Sequence, residues 1–525
     1  MSRLKIIIPI LVTAGLLFVA YSNSFYTPLH YDDSVNLIRN KNVHMESLTW
    51  ESLKRTFFAG GLRGDIYHPI LYRPVAMTSL AWNYYFHELD VLGYHIFNFA
   101  VHLITAIFLF LFINLTLNLP SLKEKYGHNS ILISFFATAL WALNPVQLTS
   151  VTYVVQRMTS LAGMFYIMAM YFYLRARTGG SIKYAVISFL CVALGVLSKE
   201  NAIMVVLSIA LFDIMFIGQK HLSRNIAIFL WVALAGVFLV YAVQGPETFS
   251  FDKLQAGFAK RDFTMGQRVL TEPRVILFYI MLLFFPSHNL MSLTHDVPIS
   301  KGLFSPPETF FSIVIIGCIL VIVLINIKKY RLLSFAVLFF FLNHLIEGSI
   351  IPLELVYEHR NYVPSFFLFL PVAILIVRGL RKYRKPAAVL ASGIILFFIY
   401  NTYTQNETWK SDLTLWHDTV AKSPDPRSWF NLAGAYYTRS KSEERQEGDM
   451  QKALKYWTVS RDFNQLYGTN YKETNDIIPY GRVMHMAQHN AMMLTMLKDG
   501  KIRRAWKIKK DLMKNVEIRQ RGTHG

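Results

Sequence analysis

The chain has 525 residues, of which 53% are hydrophobic, 15% aromatic and only 16% charged, and its mean hydropathy is +0.33. A soluble protein of this length needs far more charged surface, so the composition excludes an ordinary globular enzyme and points to a polytopic membrane protein. The formal charge of +20 does not indicate nucleic acid, because much of the excess lies in short loops between apolar runs, as the positive-inside rule expects.

From the N-terminus, Met1 to Lys5 and the apolar run behind it read as a retained signal anchor, since no small-residue cleavage site precedes Asp32. Apolar runs able to cross a bilayer, some with tilt, fall at 6–22, 94–117, 130–144, 158–174, 184–197, 202–218 and 225–243, and again at 309–327, 332–350, 362–378 and 386–403. With the N-terminus cytoplasmic, every cytoplasmic loop is basic, from Lys123 and Lys125 to the cluster Arg378, Arg381, Lys382, Arg384 and Lys385. The stretches 70–86 and 274–286 are short and flanked by proline and polar residues, and are predicted as interfacial or re-entrant helices on the outer side. Cys191 and Cys318 both lie in apolar runs and read as packing residues.

This topology places the unusual polar clusters on one face. Asp32 and Asp33 follow the first span, and His68 with Tyr72 and Arg73 lie in the same first outer loop, 23–93. Arg157, the pair Lys199 and Glu200, and the run Glu358-His359-Arg360-Asn361-Tyr362 stand at the ends of later spans. Ionisable groups at a bilayer boundary are costly, so such a set suits a polar cavity better than a lipid-facing surface. Carboxylates beside a rim of Arg, Lys and His suit a site where an acid takes a proton and cations hold a phosphate. Each element also has a plainer reading: Asp32 and Asp33 as solvated loop acids, Lys199 and Glu200 as interface anchors, Arg157 as a headgroup contact, and His68 as a hydrogen-bonded structural histidine. No His, Cys and carboxylate spacing amounts to a metal signature.

Beyond residue 403 the pattern becomes polar and aromatic. Pro426 to Tyr437 reads as a helix with Trp429, Leu432, Ala433 and Tyr436 at helical spacing, and Met450 to Phe463 as a second with Ala453, Tyr456 and Trp457. The order matches a tetratricopeptide repeat with an insertion over 441–448, and a second such pair is suggested at 485–497 and 502–516. The methionines between 484 and 496 read as helix packing. The predicted fold class is therefore all-α: a transmembrane domain over 1–403 and a small repeat-like helical domain over 404–525.

Together, Tyr31-Asp32-Asp33, Tyr72-Arg73-Pro74, Gly93-Tyr94-His95 with Asn98 and His102, Asn144-Pro145-Val146-Gln147 with Ser150-Val151, Gln156-Arg157-Met158, Ser198-Lys199-Glu200-Asn201 and Glu358 to Tyr362 resemble the transmembrane and tetratricopeptide-repeat O-mannosyltransferases and their bacterial relatives, within the GT-C glycosyltransferases. The resemblance covers most of 1–403. It implies an inverting enzyme that moves a sugar from a polyprenyl-phosphate donor to a hydroxyl of an exported protein; separately, the odd number of spans sets the C-terminal domain outside, in the periplasm of a bacterial inner membrane, and an outer-face enzyme with a short repeat domain suits a pilin-like acceptor. The resemblance implies a base at Asp32 or Asp33; adjacent carboxylates titrate as a coupled pair, so the choice stays open, with Asp32 slightly favoured. Arg157, Lys199, His359, Arg360 and, more weakly, Arg73 are the expected holders of the donor phosphate. Tyr72, His68, Glu200, Glu358 and Tyr362 are expected to support the site or line the sugar and acceptor pocket. No cofactor or divalent metal is expected, because cations flank a monophosphate leaving group. A ligase or polymerase of lipid-diphosphate glycans, and a transporter or assembly scaffold, are the alternatives.

Overall fold

The computed structural model describes residues 4–59, 62–63, 66–67, 73–217, 251–259 and 261–467. Its regular structure among the described residues is helical, apart from a two-residue antiparallel ladder that pairs Leu62 with Tyr67 and Arg63 with Ile66 and an isolated bridge between Gly302 and Ser305. The expected span at 225–243, the second repeat pair and its methionines, His68 and Tyr72 lie outside the described residues.

The first unit runs through α1 (Leu4–Tyr21), α2 (Trp50–Phe57), α3 (Pro74–His87), α4 (Val91–Leu117), α5 (Pro120–Tyr126), α6 (Ser130–Ala142) and the single turn α7 (Leu148–Val151). It continues with α8 (Arg157–Gly179), α9 (Ile182–Ser198), α10 (Val205–Phe216), α11 (Phe251–Phe258), α12 (Met265–Phe284), α13 (Glu308–Ile325), α14 (Arg331–His344), α15 (Leu370–Lys382) and α16 (Arg384–Thr408). By length and apolar content α1, α4, α13 and α16 can each cross a membrane, and a fifth crossing arises if the pair 120–142 and 145–151, bent by 55°, is one span. Helices α9 and α14 are apolar but shorter. On α13, Ile313, Val314, Ile315, Val321, Ile322, Leu324 and Ile325 all point outward. A helix with large aliphatics on its outside is built for an apolar solvent.

Local sequence sets the helix limits. Asp90 caps α4 by accepting the Leu92 N–H at 3.1 Å, and Gly180, at φ +66°, closes α8 in the left-handed conformation. Helix α12 starts well before the predicted 274, because Thr264 and Gln267 form a reciprocal capping box there. The predicted span 332–350 ends early, at His344, and a loop over 345–357 follows. The span predicted at 362–378 begins with turns instead, since Pro364 and Pro371 lack the N–H a continuous helix needs, and α15 starts only at Leu370. Cys191 is buried, but Cys318 is exposed on α13, contrary to the packing role expected of it.

Helix α8 packs along α4 and α9, and α4 along α6. Polar bonds tie this core to the segment after residue 357: Tyr362 Oη lies 2.8 Å from His102 Nδ1, His102 Nε2 lies 3.0 Å from the Ala142 carbonyl, and Trp141 Nε1 donates to the Tyr362 carbonyl at 3.2 Å. Because Ala142 O can only accept, Nε2 carries the proton and Nδ1 takes the Tyr362 hydroxyl hydrogen. The Tyr362 ring lies against Gly163 of α8, where an added Cβ would stand 2.6 Å from two ring carbons.

The second unit gathers 261–262, 292–296 and the described residues from 411 on. It contains α17 (Asp412–Lys422), α18 (Pro426–Lys441) and α19 (Asp449–Tyr467). Ser411 and Asp425 cap α17 and α18. The predicted pair is present as α18 and α19, with Trp429, Leu432, Ala433, Tyr436, Ala453, Tyr456 and Trp457 buried and Trp429 stacked on Tyr456 at 5.4 Å. Arg439 grips Asp449 with two bonds of 2.6 and 2.9 Å. Helix α17, which also packs on α18, was not expected from the sequence.

Candidate functional site

The loop after α1 is fixed by bonds to distant parts of the first unit. Asn23 reaches Tyr403 O at 3.0 Å, His30 Nε2 lies 2.8 Å from Trp409 O, and His95 Nε2 lies 2.7 Å from Thr27 O. Asp33 is 1% exposed, and each carboxylate oxygen accepts a backbone N–H: Oδ2 that of His30 at 2.9 Å and Oδ1 that of Val155 at 2.7 Å. Burial pushes its pKa up to about 7, against these two N–H bonds and the neighbouring His30, which favour the anion. Asp32 is only partly buried, and its backbone N–H donates to Tyr153 Oη at 2.8 Å. The two acids therefore have different surroundings despite being adjacent.

The segment that receives them, 153–159, also receives the cations. Arg73 donates to Met158 Sδ at 2.5 Å, and Lys199 Nζ donates to Thr159 Oγ1 at 3.2 Å. Four of the seven residues 153–159, which lead into and open α8, thus contact the acids and cations: Tyr153 meets Asp32, Val155 meets Asp33, Met158 meets Arg73 and Thr159 meets Lys199.

Glu347 lies at the centre of the cation cluster. Its Oε1 is 2.9 Å from Lys199 Nζ and accepts Asn201 Nδ2 at 3.0 Å, while Oε2 stands 3.7 Å from Arg360 Nε. The side chains of Lys199, Glu347 and Arg360 are only 7%, 8% and 5% exposed. Arg360 also donates to Leu355 O at 2.9 Å and lies over the Tyr357 ring, on which His359 stacks at 5.1 Å. Arg73 and Glu200 form a two-bond pair of 2.6 and 2.9 Å. Burial, then the charges of Lys199, Arg360 and Arg73, push the His359 imidazole well below its ordinary range. These surroundings disfavour the imidazolium form and favour His359 as a hydrogen-bonding group over the cation the sequence suggested.

The loop carrying Glu347 is held from beneath. Arg268, fully buried, donates to Glu347 O at 2.6 Å, Ser349 O at 3.0 Å, Leu353 O at 2.5 Å and Glu354 O at 3.1 Å, and pairs with Glu272 at 2.6 Å. Gly348 fits because a Cβ there would meet His344 O at 2.9 Å.

Of the residues singled out from the sequence, Arg73, Lys199, Glu200, His359 and Arg360 gather in this cluster, and the Asp32–Asp33 loop is joined to it through 153–159. Glu358 is buried in the same turn as His359 and Arg360. Two others are placed elsewhere. Arg157 is 0% exposed; its guanidinium donates to Asn98 Oδ1 at 2.6 Å, Ser79 O at 3.0 Å and Tyr94 O at 3.0 Å and lies over the Phe97 ring. It braces α3 and α4 against α8 and is closed to a lipid phosphate. Tyr362 is wholly buried among Trp141, His102 and Gly163, the packing of a core residue where a pocket-lining one was expected. Glu347, Arg268, Glu272 and Tyr153 were not singled out from the sequence, and Asn201 stood only within the Ser198–Asn201 motif. The available signal was Glu347 itself, an acid inside a predicted span. Among the described residues no group of three His, Cys, Asp or Glu side chains is arranged to hold a metal.

The family described as "Dolichyl-phosphate-mannose-protein mannosyltransferase" matches residues 121–244, a stretch that includes Arg157, Lys199 and Glu200. Protein O-mannosyl-transferase F38B6.6 of Caenorhabditis elegans is 25% identical over 424 residues, covering 79% of this chain and 58% of the relative. Protein O-mannosyl-transferase TMTC3 of Homo sapiens is 23% identical over 495 residues, covering 85% of this chain and 50% of the relative. The chain thus spans between half and three fifths of these relatives' length. No solved structure matches it. The chain resembles the O-mannosyltransferases of the GT-C superfamily, and its apolar helices together with these relatives identify a membrane protein.

Proposed function

We propose that the chain is an integral-membrane glycosyltransferase that moves one sugar from a polyprenyl-phosphate donor to a hydroxyl of an exported protein. The observation that carries this reading is the 153–159 segment, which contacts both the acidic loop and the cations. The two halves of a transfer reaction, proton removal and phosphate departure, need groups held in that way. Asp32, the less buried acid, takes the proton of the acceptor hydroxyl. The resulting oxygen attacks the anomeric carbon from the face opposite the phosphate, the carbon–oxygen bond to phosphate breaks, and the sugar inverts. Polyprenyl phosphate leaves with the bonding electrons, its charge met by Lys199 and Arg360, with Arg73 at the edge and the neutral His359 donating a hydrogen bond. Asp33 holds the loop, and Arg157 positions α8. His68, Tyr72, Glu200 and Glu358 complete the surroundings. The cations do the work of a divalent ion, so transfer proceeds without metal or cofactor.

In this reading the chain crosses a bacterial inner membrane eleven times, as the apolar runs suggest, with the N-terminus cytoplasmic and the C-terminal unit periplasmic. The second unit is a repeat-like docking module for the exported, pilin-like acceptor. The relatives' names carry mannose and protein O-glycosylation, which supports a lipid-linked hexose as donor. The test is mass spectrometry of exported proteins from cells carrying the chain or its Asp32→Asn variant. A sugar mass present with the first and absent with the second is expected; equal modification by both overturns the assignment of the base.

A further inference from the structure

Two buried cations, Lys199 and Arg360, share a single carboxylate, that of Glu347, at 2.9 and 3.7 Å. The neighbouring cations have their own partners: Arg73 is closed onto Glu200 and Arg268 onto Glu272. Taken by themselves, the two cations and one carboxylate of the Lys199–Arg360–Glu347 group sum to one positive charge. The backbone of Glu347 is anchored within it, because Arg268 binds its carbonyl and three others of the same loop, and a Cβ at Gly348 would meet His344 O. With Lys199 tied also to Thr159 and Asn201 tied to the same Glu347 oxygen, the spacing and the charge of the cation pair are both fixed by Glu347.

We infer that Glu347 is a specificity-determining residue that sets the charge of the phosphate site to favour a phosphodiester over a phosphomonoester. The inference rests on the donor site proposed above. A lipid-phosphate sugar is a diester with one negative charge, and its leaving group is a monoester that carries up to two near neutral pH. A site with one excess positive charge matches the donor and still attracts the second charge as it forms on the departing oxygen. A site with two would hold the monoester product and release it slowly. Glu347 thereby couples donor recognition to product release.

The experiment measures equilibrium binding of two probes to the full chain in lipid nanodiscs: farnesyl phosphate, a monoester, and farnesyl methyl phosphate, a diester. In Glu347→Gln, whose amide oxygen can still accept from Asn201, monoester binding is expected to tighten by about tenfold relative to the diester. Lys199→Gln, with the carboxylate intact, is expected to shift the ratio the opposite way. The double variant Lys199→Gln, Glu347→Gln restores the charge and is expected to return the ratio close to the wild-type value. General damage to the site would weaken both probes alike and would not be undone by a second substitution. A monoester-to-diester ratio unchanged in both single variants, with the wild-type chain binding both probes, overturns the inference alone. Failure of the wild-type chain to bind either probe overturns the donor site as well.

Discussion

The Val155 backbone N–H donates to Asp33 Oδ1 at 2.7 Å across 122 positions of sequence. With the His30 N–H on Oδ2, it leaves the Asp33 carboxylate fully engaged in holding the acidic loop against the start of α8. Asp33→Asn would turn its amide NH2 toward one of these two donors, leaving a buried N–H without an acceptor. The expected cost is about 1–3 kcal/mol, seen as a lower melting temperature of the purified protein. Asp32→Asn, at a partly exposed position, is expected to keep the wild-type melting temperature while losing transfer. Equal melting temperatures for both variants would contradict the division of roles between the two acids.

Arg157 and Arg360 offer a second contrast. The Arg157 guanidinium spans acceptors on three residues, Asn98, Ser79 and Tyr94, a spread that the compact ammonium of lysine does not reproduce. Arg157→Lys is therefore expected to destabilise the fold by about 3 kcal/mol or more, as loss of a buried charged network does. Arg360→Lys keeps a charge near Glu347 and is expected to preserve stability while raising the donor KM about tenfold, roughly 1.4 kcal/mol of donor binding. Thermal unfolding and donor titration of the two variants separate these outcomes. An Arg157→Lys protein with normal stability and impaired donor binding would return Arg157 to the phosphate site.

Much of this was legible in the sequence, and the omissions have physical causes. Apolar runs are strong signals, so α1, α4, α13 and α16 fell where predicted. Helix ends set by proline or by a capping box, as at Leu370 and Thr264, were displaced, because a hydropathy window does not register a missing N–H or a cap. Arg73, Lys199, Glu200, His359 and Arg360 were found because charge beside an apolar run is conspicuous. Arg157 was conspicuous for the same reason but is turned inward, a direction decided by Asn98 and two carbonyls that no local pattern reveals. Glu347 was overlooked because it lies inside a run read as a span, and its partners Lys199 and Arg360 are respectively far and near in sequence.

The second unit carries a pH-sensitive contact. His417 Nε2 lies 2.7 Å from Tyr436 Oη, and burial, followed by the charges of Lys452 and Arg439, lowers its pKa from 6.5 to about 4. Between those values the unfolded chain takes up a proton that the folded unit refuses, so stability falls as pH drops from about 6.5 toward about 4 and is regained above that window. Asp449, held below the ordinary carboxylate range by its Arg439 bond, adds a further loss at still lower pH. Urea unfolding followed by the fluorescence of Trp429 and Trp457 should show a lower midpoint at acidic pH. His417→Gln should flatten the dependence across the histidine window and leave the more acidic loss in place; an unaltered profile would remove His417 from the account.

The contact of Gly163 with Tyr362 gives the last prediction. A Cβ at 163 would stand 2.6 Å from the Tyr362 Cδ1 and Cε1 atoms, and the ring cannot withdraw easily, because its hydroxyl is bonded to His102 and it packs edge-to-face with Trp141 at 5.1 Å between centroids. Gly163→Ala is expected to cost about 1–3 kcal/mol by overpacking, despite alanine's better helix propensity. Tyr362→Leu alone is expected to destabilise by a similar amount, through lost volume and the loss of the hydroxyl donor to His102. Because one substitution adds bulk where the other removes it, the double variant should be more stable than the sum of the two losses allows, with a coupling of about 1 kcal/mol or more in a double-mutant cycle. Strict additivity would mean that α8 shifts to accommodate the methyl group without involving the ring.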